Sequence, residues 1–264
     1  MKLTSEALEQ FHQEGFLHLP HFASEEMCLA ILEKAQWHLT QKIEPIETEL
    51  GYDRRDRAYR TEVTDYCSHE TEPQVTVRRL RQVYQRDPLF QSWIEHQAIR
   101  PILQQILAEP VVVTTAHHNS IMTKMPYFSK ETRWHQDRRY WQYSNDNLVS
   151  VWLALDEESS ENGALEFIAG SHRMSFSAEA FDEKAYFVES YPPNQPLIAQ
   201  KKQMKLSRGD VVIFHSMLLH RANHNATHKP KLSFVYTVKG ASTKAIEGSR
   251  SAQFQEIPLA WIEE

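Results

Sequence analysis

The chain has 264 residues, with 29 lysines and arginines against 35 acidic residues, which gives a formal net charge of −6. This balance argues against nucleic acid as a partner. No apolar run is long enough to span a bilayer, and the first twenty residues lack the apolar stretch of a secretory signal. Because Cys28 and Cys67 are the only cysteines, no disulfide framework is indicated, and we expect a cytoplasmic globular protein.

The first third of the chain, up to about residue 110, is predicted to be mainly helical. Apolar residues recur at helical spacing in four stretches, and each begins at a capping side chain or near a proline. Gly15 ends the first helix, and residues 16–19 then alternate like a short strand. The four helix starts lie at Thr4 or Ser5, at Ser24, at Asp87-Pro88 and near Pro101.

Residues 44–77 form a charged stretch without clear periodicity, and several of its arginines lie close together. Such a run is usually a solvated loop. A connection of this length is, when ordered, often a lid or a binding loop over a functional site. Both interpretations stay open for this stretch. Its clustered arginines are Arg54, Arg55, Arg57 and Arg60.

From residue 111 to about 240 the sequence changes to short strands. In residues 148–155 the odd positions form an apolar face, and Trp152 lies on the opposite face. Asn162-Gly163 is typical of a hairpin turn. Many short strands after a helical region predict a mainly β fold, a sandwich or jelly roll buttressed by N-terminal helices. We expect residues 1–264 to form one domain. The strands are predicted at 111–116, 119–124, 148–155, 164–168, 211–214 and 231–238.

The motif His135-Gln136-Asp137 organises the functional interpretation. In an extended strand, side chains two residues apart share a face, so His135 and Asp137 would present an imidazole and a carboxylate side by side. One more imidazole would complete two histidines and one carboxylate, a set that suits a non-heme ferrous ion with open coordination positions. Because the chain contains 14 histidines, a packed histidine beside a solvated carboxylate is the structural alternative.

The third ligand must come from a distant part of the chain. His220 lies 83 residues after Asp137, which leaves room for several strands to bring it opposite the first pair. His215, His224 and His228 are competing candidates. Spacing alone does not choose between them.

Several motifs occur in an order that resembles a known family. Over about residues 3–240 the chain resembles the phytanoyl-CoA dioxygenase (PhyH-like) family of Fe(II)/2-oxoglutarate-dependent oxygenases. The motifs are Glu14-Gly15-Phe16-Leu17-His18-Leu19-Pro20, Lys124-Met125-Pro126, Trp134-His135-Gln136-Asp137, Tyr140-Trp141, Val151-Trp152-Leu153-Ala154-Leu155-Asp156, Glu161-Asn162-Gly163-Ala164-Leu165, Ala169-Gly170-Ser171-His172-Arg173, and Gly209-Asp210-Val211-Val212-Ile213-Phe214-His215 with Leu219-His220.

The resemblance implies a fold, a ligand set and a reaction. The fold is a cupin-like double-stranded β-helix, and the iron ligands are His135, Asp137 and His220. Fe(II), 2-oxoglutarate and O2 are the implied cofactor and cosubstrates. The implied reaction hydroxylates an unactivated C–H of a small molecule and releases succinate and CO2. Asp137 favours hydroxylation, because a small residue replaces this carboxylate in the related halogenases.

The resemblance also implies a pocket for 2-oxoglutarate, with one departure. In the family, an arginine eleven residues after the distal histidine holds the far carboxylate, and here this position is Lys231. Lysine supplies a cation without arginine's two-pronged fork, and Ser233 on the same strand face could donate a second hydrogen bond. Ala222 stands where the family often has a hydroxyl. Trp152 and Lys124 are assigned to the same pocket, with a surface lysine and a core aromatic as structural alternatives for Lys231 and Trp152.

Arg138, Arg139, Tyr140 and Trp141 follow the metal motif directly and are the candidate substrate contacts. Guanidinium groups there could clamp a carboxylate or phosphate, which favours a small, anionic metabolite as substrate. Solvated surface arginines are the alternative. The competing function is a metal-binding jelly-roll protein that does not use 2-oxoglutarate, either an isomerase or lyase or a binding module. The oligomeric state is not predicted.

Overall fold

The helices begin where the sequence places their capping residues in the structure, a computed structural model that describes residues 2–49, 52 and 76–263. The side-chain oxygens of Thr4, Ser24 and Asp87 each accept a hydrogen bond from an amide two or three residues later. The four predicted helix starts are therefore confirmed. The helices of the described residues are α1 (Ser5–Glu14), α2 (Glu25–Thr40), α3 (Pro88–Ile94), α4 (Arg100–Leu107) and a short α5 (Gln195–Ala199).

Twelve strands among the described residues form two antiparallel sheets. The large sheet has the order β1-β9-β6-β11-β4-β3-β2, with β12 also paired to β4, and the small sheet has the order β5-β10-β7-β8. This arrangement agrees with the predicted jelly roll. The strands are β1 (Phe16–Leu19), β2 (Ile46–Thr48), β3 (Val77–Arg81), β4 (Val111–Lys124), β5 (Thr132–His135), β6 (Leu148–Ala154), β7 (Leu165–Phe167), β8 (Lys202–Gln203), β9 (Val211–His215), β10 (His220–Ala222), β11 (Lys231–Gly240) and β12 (Glu256–Pro258).

The large sheet has two buried faces, because helices cover its outer face and the small sheet covers its inner face. Val149, Val151 and Leu153 belong to the core cluster that the helices complete, for example with Phe90. Trp152 lies on the opposite face, as the alternation predicts, in the cluster between the sheets. The inner face therefore points from β6 and β11 toward the small sheet, whose strands β5 and β10 carry the candidate ligands.

Two local predictions need correction. Asn162-Gly163 does not join a hairpin, because β6 pairs with β9 and β11 while β7 pairs with β10 and β8 in the other sheet. Gly163 is nevertheless required, because its φ is 82° and a Cβ there would lie 2.4 Å from the Asn223 carbonyl oxygen. The two runs predicted around residues 111–124 form one strand, β4, with a bulge between them.

The charged stretch of residues 44–77 lies mostly outside the described residues, including Cys67 and its clustered arginines. Its two ends are described: β2 and β3 form the edge of the large sheet next to β4. The lid interpretation therefore stays a prediction. No helix among the described residues is long and apolar enough to cross a membrane.

Candidate metal centre

The two strands of the small sheet bring the candidate ligands together. His135 ends β5, His220 begins β10, and these two residues are directly opposite each other in the antiparallel pair. One ligand atom each from His135, Asp137 and His220 lies within 4.8 Å of the others, and all three residues are buried. Among the described residues this is the group of three histidine, cysteine or acidic residues that could hold a metal ion.

Asp137 reaches the site in a different way from the one expected. The strand ends at His135, and Asp137 begins a 3₁₀ turn, Asp137–Arg139. Gln136 is fully buried and donates a hydrogen bond from Nε2 to the Met217 carbonyl oxygen at 2.5 Å. The Arg138 amide donates to the Ser216 carbonyl oxygen at 3.0 Å. These bonds tie the turn to the β9–β10 connection, and so they fix Asp137 relative to His220.

The hydrogen bonds of the two imidazoles define which nitrogen faces the metal. His135 Nδ1 lies 2.8 Å from the Arg133 carbonyl oxygen, and His220 Nδ1 lies 2.9 Å from the Leu218 carbonyl oxygen. Because a carbonyl oxygen can only accept, each Nδ1 carries a proton, and Nε2 is the nitrogen on each ring that is directed toward a metal position. The two Nε2 atoms lie 3.5 and 3.8 Å from carboxylate oxygens of Asp137. Such backbone partners orient histidine ligands in metal proteins.

The electrostatics keep the ligands in the protonation states that a metal requires. Burial and the neighbouring His135 lower the pKa of His220 to about 4, although Asp137 opposes this shift. Burial alone would raise the pKa of Asp137, but the neighbouring His118 and His220, together with the hydrogen bond from His118, hold this pKa well below its usual value. At neutral pH the site therefore offers neutral imidazole at His220 and a carboxylate at Asp137.

His118 is a residue of this site that the sequence interpretation missed. Its Nε2 lies 3.0 Å from Asp137 Oδ2. It lies in the β4 bulge, between Thr114 and Asn119, which pair with two consecutive residues of β11. The bulge frees the His117-His118 pair from the ladder, and both residues line the adjacent cleft. The sequence signal was the interruption of the β-branched run by two adjacent histidines.

The competing histidines lie elsewhere. His215 ends β9, where its ring packs 5.3 Å from that of His172 and its Nδ1 accepts a hydrogen bond from the Met217 amide. Burial lowers the pKa of His215 to about 4. His228 contacts Tyr127. His215, His224 and His228 are all absent from the group that could hold a metal.

A cleft with an internal volume of about 70 Å³ opens beside the ligands. Tyr140 and Trp141, two of the four predicted substrate contacts, line it. Arginines from other parts of the chain, not predicted from the sequence, line it as well. The full lining among the described residues is Glu47, Tyr52, Arg79, Arg81, His117, His118, His135, Asp137, Tyr140, Trp141 and Arg250.

The other two predicted substrate contacts, Arg138 and Arg139, are not among the residues that line the cleft. Arg138 donates to the carbonyl oxygens of Trp141 and Tyr143 and pairs with Asp146 at 2.7 Å. Arg139 donates from Nε to Gln136 at 2.7 Å, and its guanidinium lies 3.4 Å from the Phe181 ring centroid. The 3₁₀ turn after Gln136 explains this placement, because it directs the two side chains to neighbouring loops.

The residues assigned to 2-oxoglutarate lie together on the inner face of the large sheet, around a carboxylate of the protein itself. Lys231 Nζ donates to Glu158 Oε2 at 3.0 Å. Ser233 Oγ and Trp152 Nε1 both donate to Glu158 Oε1, at 2.5 and 3.0 Å. Lys231 is 3% exposed and Glu158 is 1% exposed, so this is a buried ion pair and not a surface lysine. No motif in the sequence pointed to Glu158.

Lys124 lies opposite Lys231 in the β4–β11 pair and faces the same side. Its ammonium donates to the carbonyl oxygens of Lys130, at 2.6 Å, and Ala222, at 3.3 Å. Burial, together with the nearby charges of Arg78 and Lys231, holds the pKa of Lys124 well below its usual value. Lys124 is therefore a buried amino group whose hydrogen-bond partners are neutral carbonyls, and burial disfavours its charged form.

Comparison with known proteins gives the same picture as the geometry. The family model "Phytanoyl-CoA dioxygenase (PhyH)" matches residues 11–233. A phytanoyl-CoA dioxygenase domain-containing protein 1 homolog from Caenorhabditis elegans is 27% identical over 179 residues, which cover 64% of this chain and 60% of that protein. The chain thus spans less than two thirds of the length of this relative.

Solved structures share the fold. The 2-oxoglutarate-dependent carbocyclase SnoK from nogalamycin biosynthesis has a TM-score of 0.70 at 19% identity, covering 99% of this chain and 94% of that one. EctD from S. alaskensis with 2-oxoglutarate and 5-hydroxyectoine has a TM-score of 0.66 at 18% identity, covering 92% and 78%. The predicted fold is confirmed, and the predicted Fe(II) and 2-oxoglutarate agree with the donor set. The chain belongs to the phytanoyl-CoA dioxygenase family.

Proposed function

We propose that this chain is an Fe(II)/2-oxoglutarate-dependent dioxygenase that hydroxylates an unactivated C–H of a small, anionic metabolite. The observation that carries this proposal is the converging set of two imidazoles and one carboxylate, with both Nδ1 atoms bound to backbone carbonyls. This donor set fits a ferrous ion better than a structural zinc ion, because three ligands on one side leave open positions for other groups.

His135, Asp137 and His220 would hold the iron. A ferrous ion there would supply the oxidising chemistry, in which one oxygen atom of O2 enters the substrate and the other enters succinate as 2-oxoglutarate loses CO2. The protein contributes orientation: the carbonyls of Arg133 and Leu218 fix the imidazole rings, and His118 fixes the carboxylate. Asp137 favours hydroxylation, because it keeps a protein carboxylate in a coordination position.

Lys231, Ser233, Trp152 and Lys124 would line the pocket for the distal carboxylate of 2-oxoglutarate. Three of their donors already converge on one carboxylate group, that of Glu158. The inner face of the sheet therefore has the hydrogen-bonding capacity that a carboxylate needs. Phe214 and Phe167 lie beside His220, with ring centroids 5.0 and 6.3 Å from that imidazole. These rings would exclude water from the interior side of the site.

The substrate would bind in the cleft beside the ligands. Tyr140 and Trp141 supply an aromatic wall, and Trp141 is stacked on His117 at 4.8 Å. Arg79 and Arg81 share one carboxylate, that of Glu47, at 3.1 and 3.5 Å. Together with Arg250 they leave the lining rich in positive charge, which favours a substrate with a carboxylate or phosphate group.

Anaerobic titration tests this proposal. With Fe(II) bound, addition of 2-oxoglutarate should produce a visible metal-to-ligand charge-transfer band. The band should be absent in His135→Ala and present in the matched control His224→Ala. A metabolite screen scored by substrate-stimulated succinate release would then identify the substrate. Iron binding without a band would contradict the use of 2-oxoglutarate.

A second candidate function is favoured by the ion pair of Lys231. Because Glu158 already neutralises this lysine, the fold could serve a metal-dependent isomerase or lyase, or a binding module, that does not use 2-oxoglutarate. The same titration separates the two candidates: bound iron without the charge-transfer band supports this second one.

A further inference from the structure

The charges on the inner face of the large sheet do not balance. Lys231 and Glu158 neutralise each other at 3.0 Å. Lys124 lies beside this pair on the same face, and no carboxylate among the described residues forms an ion pair with it. A buried charge without a partner is costly, so a buried lysine either gives up its proton or gains an anion as partner. Among Lys124, Lys231 and Glu158, two amino groups therefore lie beside one carboxylate.

Glu158 is built into the fold. Its amide and carbonyl exchange two hydrogen bonds with Leu206, at 2.8 and 2.9 Å. Its two carboxylate oxygens accept from Lys231, Ser233 and Trp152. Displacing this carboxylate would break three hydrogen bonds and leave Lys231 without its partner. A ligand carboxylate would instead be attracted to the cation that lacks a counter-charge.

Lys124 is placed at a suitable distance from the metal ligands. Its ammonium lies 3.3 Å from the carbonyl oxygen of Ala222, two residues after His220 on β10. Two residues of a strand span about 7 Å. The extended five-carbon chain of a 2-oxo diacid spans a comparable length. One end of such a molecule could therefore chelate the iron while the other end meets Lys124.

We propose that Glu158 neutralises Lys231 and thereby sets the charge of the cosubstrate pocket. Lys124 alone then binds the distal carboxylate of 2-oxoglutarate. This inference rests on the proposed function, and it assigns the specificity for a 2-oxo acid with a second carboxylate. Lys124 is the group that contacts the cosubstrate, and Glu158 is a positioning residue. With the cosubstrate bound, two ammonium groups face two carboxylates.

The test compares two 2-oxo acids of equal chain length, 2-oxoglutarate and 2-oxopentanoate, which has a methyl group in place of the distal carboxylate. Their dissociation constants are measured anaerobically with Fe(II) through the charge-transfer band. The ratio of the two constants isolates recognition of the distal carboxylate. In the wild type, 2-oxoglutarate should bind more tightly than 2-oxopentanoate.

Lys124→Met should reduce this preference more than tenfold while 2-oxopentanoate still binds, which also shows that the variant folds. Glu158→Gln should increase the preference severalfold, because Lys231 then gains a free charge. The double variant Lys231→Met with Glu158→Gln should keep the wild-type preference, because it removes one cation and one anion. Lys42→Met and Glu26→Gln, both exposed and outside the pocket lining, serve as matched controls.

Three outcomes overturn the inference. A wild-type preference in Lys124→Met would show that Lys124 is not the anchor. A reduced preference in Glu158→Gln would show that Glu158 serves only to hold Lys231 in position for the ligand. A lost preference in the double variant would show that Lys231 binds the ligand directly. Failure of the proposed function has a different result: neither acid gives a band in the iron-loaded wild type.

Discussion

The cleft and the inner pocket, which is formed by Lys124, Lys231 and Glu158, share no lining residue among the described residues, and both combine cations with a glutamate. In the cleft, Glu47 lies between Arg79 and Arg81. In the inner pocket, Glu158 pairs with Lys231, and Lys124 lies beside them. The cleft opens to solvent, whereas the pocket lies between two sheets. In the cleft, Glu47 offsets the charges of Arg79 and Arg81 beside a space that solvent reaches, whereas an unbalanced charge between the two sheets carries a large free-energy cost.

Because of this difference, the charges of the two regions constrain their ligands to different degrees. The charge count of the interior is a strong constraint, because burial forces each ammonium to find a partner. The charge of the cleft indicates only a preference for anions. Substitutions that remove a single charge should therefore have larger effects in the interior than in the cleft, and the metal ligands should be the most sensitive of all.

The largest effect, on iron binding, is expected for His220, one of the three candidate ligands. His220→Ala removes one of three ligands, so iron binding measured by equilibrium dialysis should be lost. His215→Ala is the matched control, because His215 is also a buried histidine at a strand end but packs against His172. Iron loss in His215→Ala together with full retention in His220→Ala would contradict the ligand assignment.

The next largest effect is expected for the interior ion pair. Lys231→Ala leaves Glu158 buried without its cation, which should lower the free energy of unfolding by about 3–5 kcal/mol. Lys202→Ala is the control, because the Lys202–Glu14 pair is partly exposed and should contribute at most about 1 kcal/mol. Urea denaturation measures both.

Equal destabilisation in the two lysine variants would remove the distinction between interior and surface charges. The double variant Lys231→Met with Glu158→Gln should recover most of the lost stability, because no unpaired charge remains. If the double variant is as unstable as Lys231→Ala, the loss comes from packing and not from the charge of Glu158.

The sequence predicted the candidate metal ligands better than it predicted the residues of the inner pocket and the cleft. The metal ligands were predicted because a short motif and a set of ordered motifs identify a family pattern. Asp137 was placed on a strand, since nothing in the sequence shows that the buried Gln136 starts a turn. Glu158 was missed, because its contacts with Lys231 join residues 73 positions apart across the sheet.

The substrate side was the hardest to predict. Arg138 and Arg139 were chosen because they follow the metal motif in sequence, but the direction of a side chain in a turn depends on the loops that receive it. Arg79 and Arg81 reach the cleft from β3, the strand next to the edge of the large sheet, which carried no motif. Neighbours in sequence are therefore a weak guide to a binding surface, whereas strand alternation in β3 would have been a better one.

A smaller effect is expected for His118, which faces the cleft and holds Asp137. His118→Ala removes the hydrogen bond to Asp137 Oδ2 and should weaken iron binding by about 10–100-fold. His117→Ala is the control, because the neighbouring ring bonds to Ser251 and not to Asp137. Unchanged iron affinity in His118→Ala would mean that the turn alone positions the carboxylate.

The smallest effect is expected in the cleft, where Arg79 and Arg81 share the carboxylate of Glu47. With a substrate identified through succinate release, Arg79→Gln should raise the KM of an anionic substrate by about tenfold, since one hydrogen-bonded charge contributes on the order of 1.5 kcal/mol. Affinity for 2-oxoglutarate should stay at the wild-type value, because the proposed cosubstrate pocket does not include Arg79. Arg138→Gln is the matched control, because its guanidinium is turned toward Asp146 and lies outside the cleft lining. A KM effect in Arg138→Gln that equals or exceeds the effect in Arg79→Gln would move the substrate away from this cleft and back to the arginines that follow the metal motif.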